Sequence, residues 1–147
     1  MTTKLHVYFD TAEIACGLGD FSTLCSAVQL AELDVVLSDG QFTVFAPTNQ
    51  AFEELGSTLD AVLADKDLLA DILLFHVVSN KVIFEDDLEC THVTHMANGK
   101  DSRHVCVGGD VFQKGGGNPR SDMPKIVNTD IGACNGVIHV VDEVMLP

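Results

Sequence analysis

Several residue types are scarce in this chain of 147 residues. It has no tryptophan and one tyrosine, so it offers few of the aromatic platforms that stack on single-stranded nucleic acid. Eight lysines and arginines stand against 22 aspartates and glutamates, which gives a formal net charge of −14 at pH 7. Because phosphate recognition needs clustered cations, this balance excludes nucleic acid as a default partner and disfavours binding to anionic lipid.

Long hydrophobic runs are also missing. The longest core-like stretch, residues 72–78, is interrupted by His76 and is far shorter than the roughly 18 residues that a membrane span requires. The first ten residues contain too short an apolar stretch, with His6 inside it, for a secretory leader. We therefore expect no direct membrane insertion, and either a cytosolic protein or a domain cut from a longer or processed one.

The remaining composition is that of a globular protein. Apolar residues make up 46% of the chain and charged residues 20%, a balance that favours a packed core over disorder. The length predicts one domain over residues 1–147, large enough to fold without a metal or a disulfide. Five cysteines are nevertheless many for a cytosolic domain, which favours an oxidising, extracellular compartment. They are Cys16, Cys25, Cys90, Cys106 and Cys134.

Helical periodicity dominates the first half of the chain, and short strand-like runs dominate the second. After Asp20, a good N-cap, an apolar face predicts a helix through Ala31. Asp65 or Asp67 opens another helix, in which Leu68 belongs to a broad, largely buried stripe. This segregation predicts an α+β fold rather than alternating α/β units. The strand candidates are residues 42–46, 76–78, 82–83, 88–96, 103–107, 111–112, 125–127 and 137–141.

Residues typical of catalytic or cofactor sites form no recognisable arrangement. His76 and His139 lie inside apolar strings, where a hydrogen-bonded core histidine is favoured over a catalytic base. No nucleophile with an orienting group accompanies them. Gly17 and Gly19 lack the third glycine of a dinucleotide-binding loop. We therefore predict no catalytic residues, no cofactor and no enzymatic activity.

A hairpin is predicted around Asn98–Gly99, between two strand-like runs. A three-residue loop over residues 97–99, with Gly99 in the left-handed conformation, would pair Met96 with Lys100. A two-residue loop over Asn98–Gly99 would shift this register by one residue.

The three-residue loop brings cysteines and histidines together. It places Cys90 opposite Cys106 and His92 opposite His104, all on one face of the hairpin. Opposite cysteines in a non-hydrogen-bonded pair can form a disulfide, which we predict for Cys90 and Cys106. A Cys₂His₂ metal ion is the less favoured alternative because C-x-x-C spacing is missing, so no metal ligands are predicted. The other three cysteines allow at most one further pair, which spacing alone does not identify.

Three segments together resemble a known family. Residues 42–52, FTVFAPTNQAF, resemble the first signature of the fasciclin (FAS1) domain family, and residues 135–142, NGVIHVVD, resemble the second. Between them, ILLFHVV at residues 72–78 is similar to the family's tyrosine–histidine segment. The resemblance covers about residues 10–147. It implies a fasciclin-type wedge, a bent β-sandwich with helices packed along one side.

The two signatures predict an architectural centre rather than a binding surface. Phe42, Val44 and Ala46 alternate with Thr43 and Phe45, so both faces of this strand should be covered. The motif residues expected to have structural roles are Phe42, Val44, Ala46, Pro47, Thr48, Phe52, Asn135, Gly136 and His139.

The resemblance also implies a function. Fasciclin domains serve as extracellular or surface-attached adhesion modules, so we expect a non-enzymatic domain that binds a cell-surface or matrix protein or a polysaccharide. Weak self-association is a further expectation. Two positions linked to integrin contact in the family correspond to Phe75–His76, with phenylalanine in place of tyrosine, and to Asp130–Ile131. The alternative is a small-ligand or metal-binding domain, which a deep pocket with convergent polar groups would favour.

Overall fold

The computed structural model describes Cys16 and residues 19–33, 40–133 and 135–147. Its helices are α1 (Ser22–Leu30), α2 (Asn49–Glu53), α3 (Ser57–Ala64) and α4 (Lys66–Leu74), with short 3₁₀ turns at Gly19–Phe21 and Glu85–Asp87. Its strands are β1 (Phe42–Pro47), β2 (Val77–Ser79), β3 (Val93–His95), β4 (Asp101–Val107), β5 (Asp110–Lys114), β6 (Ile126–Ala133) and β7 (Gly136–Val141).

The strands form two sheets. In the first, the order is β2-β1-β7-β6, with β1 parallel to β7 and the other pairs antiparallel. The second is an antiparallel sheet of order β3-β4-β5, and a single bridge between Phe112 and Lys125 links its edge to the chain that enters β6. Except for β1, the strands follow the helices along the chain, so the α+β prediction is confirmed.

Strand β1 is buried on both faces, as its alternation predicts. Phe42 and Val44 point into a large core with the helices, whereas Phe45 belongs to a second core cluster on the other face. That second cluster also contains Met96, from the end of the hairpin strand, and Met145, from the C-terminal segment. The first sheet is therefore the middle layer, with helices on one side and the second sheet on the other.

Helix α1 begins with a cap from elsewhere in the chain, and the prediction that Asp20 caps it is wrong. Asp20 lies inside the preceding 3₁₀ turn. The side chain of Asn49 accepts the N–H of Thr23 at 2.9 Å and donates to the carbonyl oxygen of Gly19 at 3.1 Å. Its neighbour Thr48 caps α2, so one short segment organises the start of two helices.

Helix α4 has the predicted start but a different buried stripe. The carboxylate of Asp65 accepts the N–H of Leu68 at 3.2 Å, a standard N-cap. Leu69, Ile72 and Leu73 are buried, whereas Leu68 is 41% exposed, so its predicted burial is wrong. The observed stripe follows i, i+3, i+4 spacing, and Leu68 lies about 100° around the helix from Leu69.

The hairpin has the predicted register. Val93 faces Arg103 and His95 faces Asp101, and the N–H of Met96 donates to the carbonyl oxygen of Lys100 at 2.8 Å. The three-residue loop is confirmed and the two-residue alternative is wrong. The strand itself is shorter than predicted because residues 88–92 lie outside it, with a turn at residues 90–91, and residues 82–83 also lie outside any strand.

Candidate partner-binding surface

Phe75–His76 lies between α4 and β2, with side chains that are 0% and 2% exposed. His76 Nδ1 lies 2.8 Å from the carbonyl oxygen of Ile72, and Nε2 accepts the N–H of Met145 at 2.8 Å. Backbone groups therefore engage both ring nitrogens, and the ring connects α4 to the C-terminal segment. This geometry does not support partner contact through either side chain, because neither reaches the surface.

Asp130–Ile131 lies at an irregularity in β6, where the pairing with β7 shifts between Asn128 and Ile131. Asp130 has a φ of +58°, a left-handed conformation that aspartate tolerates better than most residues. Its carboxylate accepts the N–H of Glu85 at 2.9 Å and remains 44% exposed, whereas Ile131 is half-buried against the core. Of the four residues predicted to contact a partner, Asp130 has the most accessible functional group.

His139 holds this irregularity in place from inside the sheet. Its Nδ1 accepts the N–H of Asp130 at 3.2 Å, and its Nε2 lies 2.7 Å from the carbonyl oxygen of Ile83. Nε2 therefore carries the proton, and the neutral ring is the form that fits. Burial lowers the pKa of His139, and it lowers the pKa of His76 to about 4, because desolvation penalises the charged ring.

The cysteines and histidines of the hairpin do not converge on a metal. Cys90 and Cys106 form a disulfide, with Cα atoms 5.5 Å apart. His104 is buried against Gln113, whereas His95 is exposed and pairs with Asp101. Within the described part of the chain, no three His, Cys, Asp or Glu residues are arranged to hold a metal ion. A further disulfide joins Cys16 to Cys25, and Cys134 lies outside the described residues.

A cleft that sequence patterns did not suggest lies between the loop of residues 114–124 and the C-terminal segment. It has a volume of about 670 Å³, and we call it the acidic cleft. Its carboxylates are Glu54, Asp122, Asp142 and Glu143, and two cations, Arg120 and Lys125, also line it. Desolvation, a hydrogen bond with Asp122 and the negative charges nearby raise the pKa of Glu143 to about 8. These carboxylates come from separate parts of the chain, so no local motif announces them.

The loop of residues 114–124 is anchored by the buried side chain of Asn118. Asn118 Oδ1 accepts the N–H groups of Gly115 and Leu146 at 3.0 and 2.9 Å. Its amide nitrogen donates to the carbonyl oxygen of Val144 at 3.2 Å. The loop and the C-terminal segment therefore hold each other in place.

Comparison with known proteins identifies the family. The sequence profile of the fasciclin domain matches residues 19–147. The chain belongs to the fasciclin domain family. Protein sll1483 of Synechocystis sp. is 37% identical over 141 residues, covering 92% of this chain and 72% of that protein. Transforming growth factor-beta-induced protein ig-h3 of Sus scrofa is 34% identical over 129 residues, covering 86% of this chain and 18% of that protein.

Comparison with solved structures gives the same fold family. A fasciclin domain pair from the insect cell adhesion molecule Fasciclin I superposes with a TM-score of 0.77, covering 95% of this chain and 51% of that chain at 17% identity. At this identity the likeness shows the fasciclin fold and no more. Among the described residues, no helix is long and apolar enough to cross a membrane.

The two signatures of this fasciclin domain meet in the middle layer, where β1 and β7 lie side by side. The N–H of Phe42 donates to the carbonyl oxygen of Asn135 at 2.9 Å, and at the other end Thr48 donates to Val141 at 3.3 Å. A Cβ atom on Gly136 would lie 1.8 Å from the carbonyl oxygen of Phe42, so this approach requires glycine. The signatures thus build the centre of the fold.

Proposed function

We propose that this fasciclin domain is a non-enzymatic extracellular adhesion module that binds a matrix or cell-surface protein or polysaccharide. The observation that carries the proposal is that the histidines of the family motifs have structural roles. His76 and His139 both direct their ring nitrogens to backbone groups in the interior. Partner recognition is then left to exposed side chains and to the clefts between them.

Two further observations support the proposal. Disulfides such as Cys16–Cys25 and Cys90–Cys106 persist mainly in oxidising compartments, which fits an extracellular location. The matching fold comes from a protein described as an insect cell adhesion molecule. We therefore carry over to this chain the adhesive role, but no particular partner.

We propose Asp130, with Ile131 beside it, as a contact for the partner. Both line a cleft of about 720 Å³ between β6 and the turn at Gly19–Phe21, to which Asp20 adds a second carboxylate. Val127, on the rim of this cleft, is 51% exposed and offers apolar surface. Such a cleft suits a partner that presents a basic group beside a small apolar side chain.

Adhesion through such an exposed site is expected to be weak for one copy and strong for many. The test measures binding of single soluble domains and of bead-displayed domains to cells and to matrix-coated surfaces. Display should raise the apparent affinity about 100-fold or more, because later contacts form at high effective concentration. Asp130→Asn keeps an acceptor for the N–H of Glu85 and should weaken adhesion, whereas the exposed control Asp60→Asn should not.

Two results would count against the proposal. One is the absence of adhesion by beads that carry correctly folded domains. The other is equally tight binding of a small molecule by a single copy, which would favour the small-ligand alternative.

A further inference from the structure

The few positive charges of this chain are unevenly distributed. Eight lysines and arginines oppose 22 carboxylates in the sequence. Both arginines, Arg103 and Arg120, nevertheless line one cleft of about 420 Å³ together with Lys114, and we call it the basic cleft. Asp101 is the one acidic residue in its lining. A strongly acidic molecule therefore has a local site of opposite charge.

The floor of the basic cleft is a row of three residues across the second sheet. Val93 in β3 faces Arg103 in β4, which in turn faces Lys114 in β5. Side chains opposite each other on neighbouring strands emerge on the same face. Arg103 and Lys114 are thus held about one strand spacing apart, ~5 Å, by the sheet itself.

The wall of the basic cleft is the loop that carries Arg120. This loop is anchored by the buried side chain of Asn118, which binds both the start of the loop and the C-terminal segment. Gly115 lies so close to that segment that a Cβ atom would be 1.9 Å from the carbonyl oxygen of Leu146. Arg120 therefore extends from a fixed support.

Arg120 lies between the basic cleft and the acidic cleft, because it lines both. In residues 19–33, 40–133 and 135–147, neither Arg103 nor Arg120 forms an ion pair, and Lys114 donates only to the carbonyl oxygen of Gly115. The nearby carboxylate of Asp101 is engaged by His95. Desolvating unpaired cations is costly, whereas an oxyanion ligand would satisfy their donors.

We propose that the basic cleft binds the sulfate groups of a short sulfated stretch of polysaccharide. This inference rests on the proposed adhesive function and names the partner class for it. Arginine forks bind oxyanions through paired hydrogen bonds, and a tetrahedral sulfate presents oxygens to the sheet and to the loop at once. The cleft volume lies within the range of small-ligand sites.

Two features favour a sulfated sugar over an acidic peptide. Val93 is the only large apolar residue in the lining, so the cleft has no pocket for the aromatic or aliphatic anchors of a typical peptide interface. The chain as a whole has a net charge of −14, so a long polyanion that extends beyond the cleft would be repelled. A short sulfated segment avoids that repulsion, and because the cations are already in place, its binding should not require calcium.

The experiment measures binding of a sulfated heparin tetrasaccharide by the folded domain with a chelator present. Controls are the desulfated tetrasaccharide and a tetraglutamate peptide. Arg103→Gln and Arg120→Gln should each weaken binding at least about tenfold, since each removes one partner of a charge pair. Lys81→Gln removes the same charge outside the cleft and should change affinity less than about twofold. Unchanged melting temperatures would show that the variants remain folded.

The outcomes separate this inference from the function on which it rests. Bead-displayed domains that adhere to matrix but do not bind the tetrasaccharide would overturn the inference and leave adhesion standing. Equal binding of tetraglutamate, or an equal loss in the Lys81 control, would also overturn it. Sulfate-dependent binding lost in both arginine variants would support it.

Discussion

At the scale of single residues, the buried histidines make the stability of the folded state depend on pH. The ring of His76 is satisfied only when neutral, because Nε2 accepts the N–H of Met145 while Nδ1 faces the carbonyl oxygen of Ile72. Its pKa of about 4 lies below the ordinary value of 6.5. His76 therefore binds a proton more readily in the unfolded chain than in the folded one. The stability that its neutral ring contributes to the folded state is complete above pH 6.5 and is lost as pH falls towards 4.

We predict that about 3 kcal/mol of the stability lost between pH 6.5 and pH 4 belongs to His76. Chemical unfolding at several pH values measures it. His76→Gln should be less stable at pH 7 but should show a flatter profile on acidification. His92→Gln, just before β3, is the control and should keep most of the acid-induced loss of stability. Equal acid sensitivity in His76→Gln and the wild type would contradict the assignment.

Glu143 affects stability with the opposite pH dependence to His76. Its pKa is raised to about 8 by desolvation and by neighbouring carboxylates, so the folded state favours the protonated form. The stability that protonated Glu143 contributes to the folded state is fully present below pH 4.5 and is lost as pH rises through 8. Glu143→Gln should therefore raise the melting temperature relative to the wild type increasingly between pH 5 and pH 8.5. The exposed control Glu53→Gln should show no such trend; a constant offset for both variants would refute the prediction.

At the scale of elements, the loop of residues 114–124 and the C-terminal segment depend on each other. Asn118 supplies hydrogen bonds to both, and the N–H of Gly117 donates to the carbonyl oxygen of Leu146 at 2.9 Å. His76 then connects the same segment to α4 through Met145. Residues from distant parts of the sequence thus hold the C-terminal segment against the loop and α4.

Substitutions at two adjacent glycines test whether the loop packs against the C-terminal segment as described. A Cβ atom on Gly115 would meet the backbone of Leu146 at 1.9 Å, whereas one on Gly116 would be 3.7 Å from the nearest backbone atom of Pro147. Gly115→Ala should reduce the free energy of unfolding by more than about 2 kcal/mol, and Gly116→Ala should change it by less than about 0.5 kcal/mol. Denaturant titration compares the two variants. Similar losses in both would mean that the segments do not pack as described.

At the scale of the whole molecule, charge repulsion is the dominant electrostatic feature. A net charge of −14 on a compact chain destabilises the folded state at low ionic strength, because unfolding separates the charges. Screening by salt reduces that penalty within a Debye length of roughly 8–10 Å. The same charge opposes close approach of two copies at low ionic strength.

We predict that raising NaCl from 10 mM to 500 mM increases the melting temperature by a few degrees, the shift that about 1 kcal/mol produces in a chain of this size. Calorimetry at neutral pH measures it. Replacing exposed Asp86 and Glu89 by their amides removes two negative charges and should shrink the effect of salt. A melting temperature that falls with salt would show that attractive ion pairs outweigh the repulsion.

The amino-acid sequence alone determined the features that depend on near neighbours. Alternation along residues 42–46 placed β1 between two covered faces, and the spacing around Asn98–Gly99 set the hairpin register. The predicted disulfide between Cys90 and Cys106 forms just beyond the paired part of β3. The ordered motifs predicted the family. These signals are readable because strand alternation and turn geometry are local, with periods of a few residues.

Only the tertiary structure decided which of these residues reach the surface. Phe75–His76 is buried because the C-terminal segment, about seventy residues later, covers it, as the hydrogen bond between His76 and Met145 shows. The cap of α1 comes from Asn49, and the basic cleft joins Arg103 to Arg120 across two elements. Such contacts join residues far apart in the sequence, and no local period encodes them, because burial and charge proximity depend on how whole layers pack.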